Sequence, residues 1–324
     1  MRKQLTTSYE EIISVENLLL AWQEFVSDKR SNPNVQLFQL RLMDHIMLLH
    51  WEPANFTHVH SGYTLSKIFE PKERDIHKAG VRDRLPCHAI HRKLYPFFDT
   101  TFISHSYSCR LKKGTHRACN CFRKFYIKAS RSKSRTCWVL KCDIRKFFAN
   151  IDHQILFDIL AQYIPDENVA WLLEKVISSF EPGLPLGNLT SQLFVNIYMN
   201  EFDQYVKHKL KAKYYIRYAD DFVFLSEDKA WLEQLVPVIS DFLKTRLKLS
   251  LHPKKISINT LASGVDFLGW VHFPNYRVLR TMTKKRMFRN IRRKLRNLAT
   301  LQSYLGLLQH GNTQKLRNML YSHT

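Results

Sequence analysis

The 324-residue sequence lacks several features that would place it in particular protein classes. No apolar run approaches the length of a membrane span, and the first residues lack the hydrophobic core of a signal peptide. Six cysteines in a chain of this length do not indicate a disulfide scaffold, so we expect free thiols. No internal repeat or low-complexity linker is present. We therefore expect a folded cytoplasmic protein that has no membrane partner.

Acidic residues are scarce as well. The chain has 28 Asp and Glu against 50 Lys and Arg, which gives a formal net charge of +22. Such an excess over a whole enzyme-sized chain indicates a polyanionic partner, and nucleic acid is favoured because no helix with a broad apolar face stands out. With 45% hydrophobic residues the chain can bury a large core, and its length predicts two or three tightly joined subdomains.

The stretch from Lys213 to Ser226 carries the most specific pattern in the chain. Strand-forming aromatic and aliphatic residues flank a Tyr-Ala-Asp-Asp core, which predicts a β-hairpin with Asp220 and Asp221 at its tip. Adjacent carboxylates repel each other unless a cation offsets them, and Mg²⁺ prefers such oxygen ligands. Phosphoryl transfer by paired metals needs a site of this kind. A bare Asp-Asp pair is more often a solvated turn, so the other motifs decide.

An apolar strand from Trp138 to Ile144 brings a third acid, Asp143. This carboxylate would join the hairpin pair if the strand lies beside the hairpin. Five residues later, Phe148 could lie against the sugar of a bound nucleotide. Core packing is the alternative, and Phe147 or Phe148 could equally serve it.

Two other stretches have features of phosphate-binding sites. Phe69 to Ile76 is predicted to be a strand with Lys72 and Arg74 on one face, which suits a triphosphate; a solvated basic strand is equally compatible. Glu181 to Gln192 is the richest turn cluster, and its glycines allow close backbone approach to a ligand. A helix is predicted to run from this loop to about Leu210.

Both ends of the chain are predicted to be helical. Residues 1–60 show no catalytic feature and are interpreted as a packing extension. Residues 281–324 are strongly basic and could follow a phosphate backbone. Their predicted buried stripe is Met287, Ile291, Leu295 and Leu298, with Lys284, Lys285, Arg289, Arg292, Arg293 and Arg296 on the remaining faces. Residues 264–279 are predicted to form a second hairpin that turns at Pro274-Asn275.

In this order, the motifs resemble those of a reverse transcriptase over about residues 60–320. The family order is the basic strand, the Asp143 strand, the glycine loop with its helix, the Tyr-Ala-Asp-Asp hairpin, a lysine-bearing segment, a Phe-Leu-Gly-Trp hairpin and a basic C-terminal region. The resemblance implies an α+β right-hand polymerase fold. After the 1–60 extension, it implies fingers at 61–136, a palm with an antiparallel sheet and helices at 137–280, and a helical thumb at 281–324. A helical fingers insertion is expected near 153–182.

Within the family, the chain is most similar to the reverse transcriptases of diversity-generating retroelements. Three stretches carry this similarity: Ser106 to His116, Leu184 to Phe194 and Ser303 to Leu316. Most reverse transcriptases have Gln at the Leu186 position and Ser-Pro at Ser191-Gln192. The resemblance implies a bacterial, archaeal or phage-encoded enzyme that copies a template-repeat RNA and misincorporates opposite adenine. Retron, abortive-infection and group II intron relatives remain alternatives, as does a non-catalytic maturase-like RNA-binding protein.

The resemblance also implies residue roles and partners. Asp143, Asp220 and Asp221, with the carbonyl of Ile144, would hold two Mg²⁺ ions, for which Mn²⁺ could substitute. Lys254 or Lys255 would protonate the leaving group, and the sequence does not choose between them. The implied nucleotide-binding residues are Lys72, Arg74, Ile144, Phe148, Leu186, Gly187 and Gln192. The implied primer and template contacts are Tyr218, Phe267, Leu268, Gly269, Trp270, Arg289 and Arg293. The expected partners are template RNA, the RNA–DNA duplex, deoxynucleoside triphosphates and a small basic oligomeric accessory protein. No RNase H, integrase or endonuclease domain is expected after the thumb.

Overall fold

The computed structural model describes residues 3–69, 73–293 and 298–321. Its helices are α1 (Tyr9–Ile13), α2 (Val15–Val26), α3 (Pro33–Leu40), α4 (Leu42–Ala54), α5 (Val81–Asp99), α6 (Thr115–Ala129), α7 (His153–Ala161), α8 (Glu167–Ile177), α9 (Leu189–Gln204), α10 (Lys229–Leu247), α11 (Thr281–Arg293), α12 (Leu298–Leu308) and α13 (Gln314–Tyr321). Its strands are β1 (Tyr63–Ile68), β2 (Arg74–Ala79), β3 (Trp138–Asp143), β4 (Tyr215–Tyr218), β5 (Asp221–Ser226), β6 (Ser257–Thr260), β7 (Val265–Phe267), β8 (Trp270–His272) and β9 (Arg277–Leu279).

The chain divides into two compact units, each built from three segments. Unit 1 comprises Met1–Ser104, Ile144–Lys211 and Ser240–Ser250. Unit 2 comprises His105–Asp143, Ala212–Ile239 and Leu251–Thr324. The boundary between units passes through α10, which supplies residues to both.

The N-terminal helices of unit 1 pack around a core that includes Trp22 and Phe25. Residues 33–54 form two helices, α3 and α4, rather than one continuous helix. The chain leaves helical geometry at Arg41, where φ is −124° and ψ is 41°. This break lets both α3 and α4 bury apolar residues in the same core.

In unit 1, helices also form near 153–182 and after the glycine loop, as predicted. Asp166 caps α8, and its side chain accepts hydrogen bonds from the backbone N–H groups of Asn168 and Val169. Helix α9 is buried along most of its length, and its buried residues include the polar Asn196, Asn200 and Asp203. A π-helical turn at Tyr205–Lys209 continues it, so helical structure reaches Lys209 as predicted.

Unit 2 contains an antiparallel sheet in the order β4-β5-β3-β6. Alternate residues of its strands point to one face, where Val139, Val223 and Leu225 pack against α6. The amphipathic pattern of α6 supplies the matching apolar face, which includes Phe122 and Phe125. The face that buries these residues also bears the acidic ends of the central strands.

The second predicted hairpin is a three-stranded antiparallel sheet, β7-β8-β9, so the prediction of a single turn at Pro274-Asn275 is wrong. An additional two-residue turn lies at Leu268 and Gly269, whose φ angles are 52° and 83°. Trp270 leaves this turn and is buried in a cluster with Met287 and residues of α12 and α13.

The C-terminal region of unit 2 is helical, as predicted, but its buried stripe differs. Met287 is fully buried, and Ile291 packs against the same cluster. Leu298 is 71% exposed, so its assignment to the stripe is wrong. Leu295 and Arg296 lie outside the described residues.

All six cysteine thiols are free, as predicted. Burial raises the pKa of Cys119 to about 11, which keeps this thiol protonated near neutral pH. Among the described helices, none combines the length and apolar character that crossing a bilayer requires.

Candidate active site

The predicted acidic hairpin and its neighbouring strand are present in unit 2. Strand β3 ends at Asp143 and pairs with β5, which begins at Asp221; these two residues are direct cross-strand partners. Ala219 and Asp220 form the turn between β4 and β5, and Ala219 adopts a φ of 55°. Antiparallel pairing therefore brings together acids that are far apart in the sequence.

The carboxylate of Asp221 lies in an unfavourable environment for a negative charge. Burial raises its pKa to about 7, against the opposing effect of the Lys141 ammonium. The charges of Asp220, Asp143 and Asp266 raise this pKa further. Asp221 Oδ1 is buried and has no hydrogen-bond partner within the described residues. A buried acceptor without a partner, beside other carboxylates, matches the oxygen donors that a hard divalent cation takes.

Two lysines neutralise this cluster. Lys255 Nζ donates a hydrogen bond to Asp143 Oδ1 at 2.6 Å, and Lys141 Nζ lies 3.6 Å from Asp221 Oδ2. Among the described residues, no three His, Cys, Asp or Glu side chains are close enough together to hold a metal ion. The residue types fit Mg²⁺, and a bound cation would compete with both lysines.

The two candidate proton donors differ in their surroundings. Lys254 and Lys255 share a short 3₁₀ segment, Pro253–Lys255, but Lys254 is exposed and only Lys255 contacts a candidate metal ligand. The preceding His252 donates its backbone N–H to the carbonyl of Asp143 at 2.8 Å, which ties the segment to the end of β3. Of the two lysines, the geometry therefore favours Lys255.

Lys141 was not among the predicted site residues. It stands two residues before Asp143, so both side chains share one face of β3. Its Nζ also donates to the carbonyl of Asp266 in β7 at 2.7 Å. The sequence signal for Lys141 is its position two residues before Asp143, because alternate residues of a strand lie on the same face.

Arg217 is a second residue that was missed. Although it sits in β4 and is fully buried, its Nη1 donates to the carbonyl of Ala219 at 3.1 Å, and its Nη2 donates to Ser106 Oγ at 3.1 Å. These bonds hold the turn that carries Asp220. An arginine inside an apolar strand must find buried acceptors, and this requirement is its sequence signal.

Several predicted nucleotide-binding residues lie in one connected part of unit 1. His77 of β2 donates its backbone N–H to the carbonyl of Leu186 at 3.1 Å, which ties the glycine loop to the strand that begins at Arg74. Gly187 has a φ of 118°, and a Cβ there would lie 3.0 Å from Ile76 Cγ2. The loop can therefore approach β2 this closely because glycine occupies that position.

The basic strand itself is shorter than predicted. It begins at Arg74 rather than Phe69, and Arg74 is exposed at its start. Lys72 lies outside the described residues, so the predicted pairing of Lys72 with Arg74 on one strand face stays a prediction.

Phe147 and Phe148 differ in burial. Phe147 is 4% exposed and packs in the core, whereas Phe148 is only partly buried. The carbonyl of Phe148 accepts a hydrogen bond from the N–H of Leu184 at 2.8 Å. A Cβ at Gly183 would lie 2.2 Å from that same carbonyl oxygen, so the glycine loop packs directly on this segment.

Two other predicted nucleotide-binding residues of unit 1 have contrasting burial. The side chain of Ile144, the residue after Asp143, is buried. Gln192 lies in the first turn of α9 and is partly exposed. A buried Ile144 side chain leaves only its backbone available for the predicted ligand role.

The predicted primer and template residues of unit 2 lie at three places. Phe267 and Trp270 are buried, which leaves Leu268 and Gly269 as the accessible part of that turn. Tyr218 is partly buried, and its hydroxyl accepts a hydrogen bond from Thr115 Oγ1 at 3.3 Å. On α11, basic side chains surround an open groove, and these include the exposed Arg289 and Arg293.

Similarity to known proteins identifies the family. The family model described as reverse transcriptase (RNA-dependent DNA polymerase) matches residues 73–272. The chain belongs to this family. The reverse transcriptase is 25% identical over 270 residues to protein YkfC of Escherichia coli (strain K12), a match that covers 70% of this chain and 69% of YkfC. It is 23% identical over 297 residues to the group II intron-encoded protein LtrA of Lactococcus lactis, covering 68% of this chain but 47% of LtrA.

The fold of the reverse transcriptase is also found in solved structures. A telomerase from Candida albicans, in complex with a fragment of telomeric RNA, has a TM-score of 0.52 at 10% identity. That match covers 75% of this chain and 52% of the telomerase. The family match and this likeness confirm the predicted α+β right-hand polymerase fold. The boundaries of fingers, palm and thumb remain predictions.

Proposed function

We propose that this reverse transcriptase is the RNA-directed DNA polymerase of a diversity-generating retroelement, which copies a template-repeat RNA into cDNA with errors at template adenines. Membership of the family supports the polymerase activity. The retroelement assignment rests on Leu186, where most relatives have Gln, and on Ser191-Gln192. Two of the three stretches that carry the resemblance touch each other in unit 2, where the rings of His116 and His310 stack 3.6 Å apart.

Asp143, Asp220 and Asp221 are the proposed metal ligands. Bound there, Mg²⁺ would lower the pKa of the primer 3′-hydroxyl and offset the negative charge of the triphosphate. Arg217 keeps the turn with Asp220 in place before substrate arrives, through its bond to the carbonyl of Ala219. Lys255 is the proposed proton donor to the leaving pyrophosphate, because its ammonium already contacts a ligand carboxylate.

Unit 1 supplies the proposed nucleotide contacts. The exposed guanidinium of Arg74 can bind phosphate oxygens bidentately. The partly exposed ring of Phe148 is the proposed barrier to the 2′-hydroxyl of a ribonucleotide. Gly183 holds this segment because nothing larger fits against the Phe148 carbonyl.

Low fidelity has a physical explanation at Leu186. A glutamine at this position could hydrogen-bond to the nascent base pair or to the incoming nucleotide, whereas leucine cannot. Loss of one such bond removes about 1 kcal/mol of discrimination. The backbone N–H of His77 donates a hydrogen bond to the carbonyl of Leu186, which fixes the backbone at this position. The side chain there is apolar and offers no hydrogen bond to the base pair.

Primer extension by the purified protein tests the proposal. The reaction contains an adenine-rich RNA template, an annealed primer, Mg²⁺ and all four deoxynucleotides, and the cDNA is sequenced. We expect extension with substitutions concentrated opposite template adenines, and no extension by Asp220→Asn.

The other outcomes separate the alternatives. Accurate extension at every template base would contradict the retroelement assignment and favour a retron, abortive-infection or intron-type enzyme; the similarity to LtrA makes the last of these the second candidate. No extension, even with the native RNA and an accessory protein added, would favour a maturase-like binding role. The accessory protein is proposed here as a partner on the resemblance alone.

A further inference from the structure

A cavity of about 250 Å³ lies in unit 2, among residues that none of the proposed copying roles uses. Its aromatic walls include Tyr126, Phe273 and Tyr276, and the rings of Phe273 and Tyr276 are 5.0 Å apart. Small-molecule pockets usually measure about 300–1,000 Å³, so this cavity suits a group of limited size such as a single base.

Polar groups of a particular kind line the same cavity. Three amide side chains, Asn120, Asn275 and Asn312, and the guanidinium of Arg123 contribute to its lining. Amides can both donate to and accept from base edges, while aromatic rings and guanidinium planes stack on base faces. These are the features by which proteins bind unpaired nucleotides.

The cavity adjoins a basic surface on α6. This helix contains no acidic residue, and its exposed side chains include Arg117, Arg123, Lys124 and Lys128. Arg123 belongs to both the basic face and the cavity. A run of cations without intervening acids is complementary to a phosphate backbone.

The turn that follows α6 also contacts the lining of the cavity. Lys133 Nζ donates a hydrogen bond to Asn275 Oδ1 at 2.7 Å, at the cavity lining. Lys133 is exposed and follows two residues that, like it, have positive φ angles. Arg131 in this turn is paired with Glu227 at 2.7 Å, so Lys133 is the better candidate for a phosphate contact.

We propose that the cavity holds one unpaired base of a structured RNA, whose neighbouring phosphates lie along the basic face of α6. The site is separate from the groove of α11 that is assigned to the copied duplex. This inference rests on the proposed function in one respect only, which is that the protein binds RNA. It would let the enzyme recognise a bulged or looped nucleotide in its own template RNA.

Binding of the full-length protein to two fluorescent RNA hairpins tests this site. One hairpin is fully paired and the other carries a single unpaired nucleotide in the same stem; the buffer contains EDTA and no deoxynucleotides. We expect the wild-type protein to bind the bulged hairpin about tenfold more tightly, since stacking one base on an aromatic side chain contributes about 1–3 kcal/mol.

Three variants identify the residues responsible. Tyr276→Ala should abolish the preference for the bulged hairpin, and Tyr276→Phe should retain it. Tyr276 is 47% exposed, so replacing its side chain by a methyl group is compatible with folding. Lys124→Ala combined with Lys128→Ala should weaken both hairpins equally and reduce the salt dependence of binding. The matched control, Lys244→Ala with Arg246→Ala at exposed sites of α10 in unit 1, should change neither.

Equal affinity of the wild-type protein for the two hairpins, or a preference that survives Tyr276→Ala, would overturn the inference. Primer extension on an unstructured template is measured in parallel. A protein that extends primers but does not distinguish the hairpins contradicts this inference alone. A protein that distinguishes the hairpins but never extends a primer contradicts the proposed function alone.

Discussion

At the scale of single residues, the carboxylate site depends on neighbours that sequence patterns identify unevenly. Asp143, Asp220 and Asp221 could be predicted because each adjoins a strongly apolar strand, and acids at such places need a counter-charge. Lys141 and Arg217 were missed because their sequence signals, a lysine two residues before a site acid and an arginine inside an apolar strand, do not say which groups they contact. Their roles come from the register of β3 and from buried acceptors such as Ser106, which only the tertiary structure supplies.

Replacing Lys141 by Met should change how the protein responds to magnesium. Without the ammonium group, the carboxylate of Asp221 loses its counter-charge, so we expect a loss of about 1 kcal/mol and a fall in Tm of about 2–4 °C without metal. Adding Mg²⁺ should then raise the Tm more in the variant than in the wild type, because the cation no longer competes with the lysine.

Differential scanning fluorimetry at pH 8 with and without Mg²⁺ measures this effect. Lys244→Met, on the exposed face of α10, is the control and should respond as the wild type does. An identical Mg²⁺-induced shift in Lys141→Met and the wild type would show that Lys141 does not compete for the site.

Replacing Leu186 by Gln should lower the error rate opposite template adenines. The added amide can hydrogen-bond to the base pair or nucleotide, and about 1 kcal/mol of discrimination corresponds to roughly a fivefold change. Sequencing of cDNA from parallel reactions measures the rate at each template base. Leu186→Met, which keeps the side chain apolar, is the matched control. An unchanged error rate opposite template adenines in Leu186→Gln would contradict this explanation of low fidelity.

At the scale of elements, long periodic segments could be predicted well, whereas short turns could not. The Tyr-Ala-Asp-Asp hairpin and β3 occur as expected because their strand-forming residues are continuous. The three-stranded sheet β7-β8-β9 was predicted as one hairpin because Pro274-Asn275 is the stronger turn signal. Leu268-Gly269 is an equally tight turn, but it lies between apolar residues that are typical of an uninterrupted strand.

The glycine loop offers a test of how closely two elements must approach. Gly183→Ala should destabilise the protein by about 3 kcal/mol or more, because a Cβ would overlap the Phe148 carbonyl and φ is +72°. It should also displace Phe148 and so increase ribonucleotide incorporation. Urea unfolding and primer extension with ribonucleotides measure the two effects.

Gly62→Ala is the control for backbone strain alone. Gly62 has a φ of +93°, and nothing lies within 4 Å of the position that an alanine methyl group would occupy, so its substitution should cost only about 1 kcal/mol. Equal destabilisation by the two substitutions would mean that contact with the Phe148 segment is not what requires glycine at position 183.

At the scale of the whole molecule, the net charge of +22 indicates a polyanionic partner, and the lack of a helix with a broad apolar face favours nucleic acid over a membrane surface. The division into units could not be predicted, because it depends on which distant segments pack together. Residues 144–211 belong to unit 1 although both flanking segments belong to unit 2. Local periodicity carries no information about such pairings.

Acidification should destabilise the folded protein. Burial lowers the pKa of His88, His91 and His272 to about 4, while each would titrate near 6.5 when unfolded. Between about pH 6.5 and pH 4 these histidines bind protons in the unfolded chain that they do not bind in the folded chain, so their contribution to the free energy of unfolding decreases as the pH falls. At pH 5 each histidine contributes up to about 2 kcal/mol to this decrease.

Urea unfolding between pH 7.5 and pH 5 measures the slope of the free energy of unfolding against pH. His91→Gln should make this slope shallower, since it removes one of these three buried histidine side chains. His208→Gln, at an exposed position, is the control and should leave it as in the wild type. A slope that His91→Gln does not alter would contradict the assignment of this pH dependence to buried histidines.

The alternation of the two units along the chain has a consequence for synthesis on the ribosome. Unit 1 is completed only when residues 240–250 have emerged, and unit 2 draws on residues from His105 onward, including segments on both sides of α9. Neither unit can therefore be produced as one contiguous fragment. The core of α2, α3 and α4 is completed early, by α5, but the residues of α5 that contact α9 have no partner until α9 has been made. Such a chain is expected to complete its folding after translation and to depend on chaperones while these contacts are missing.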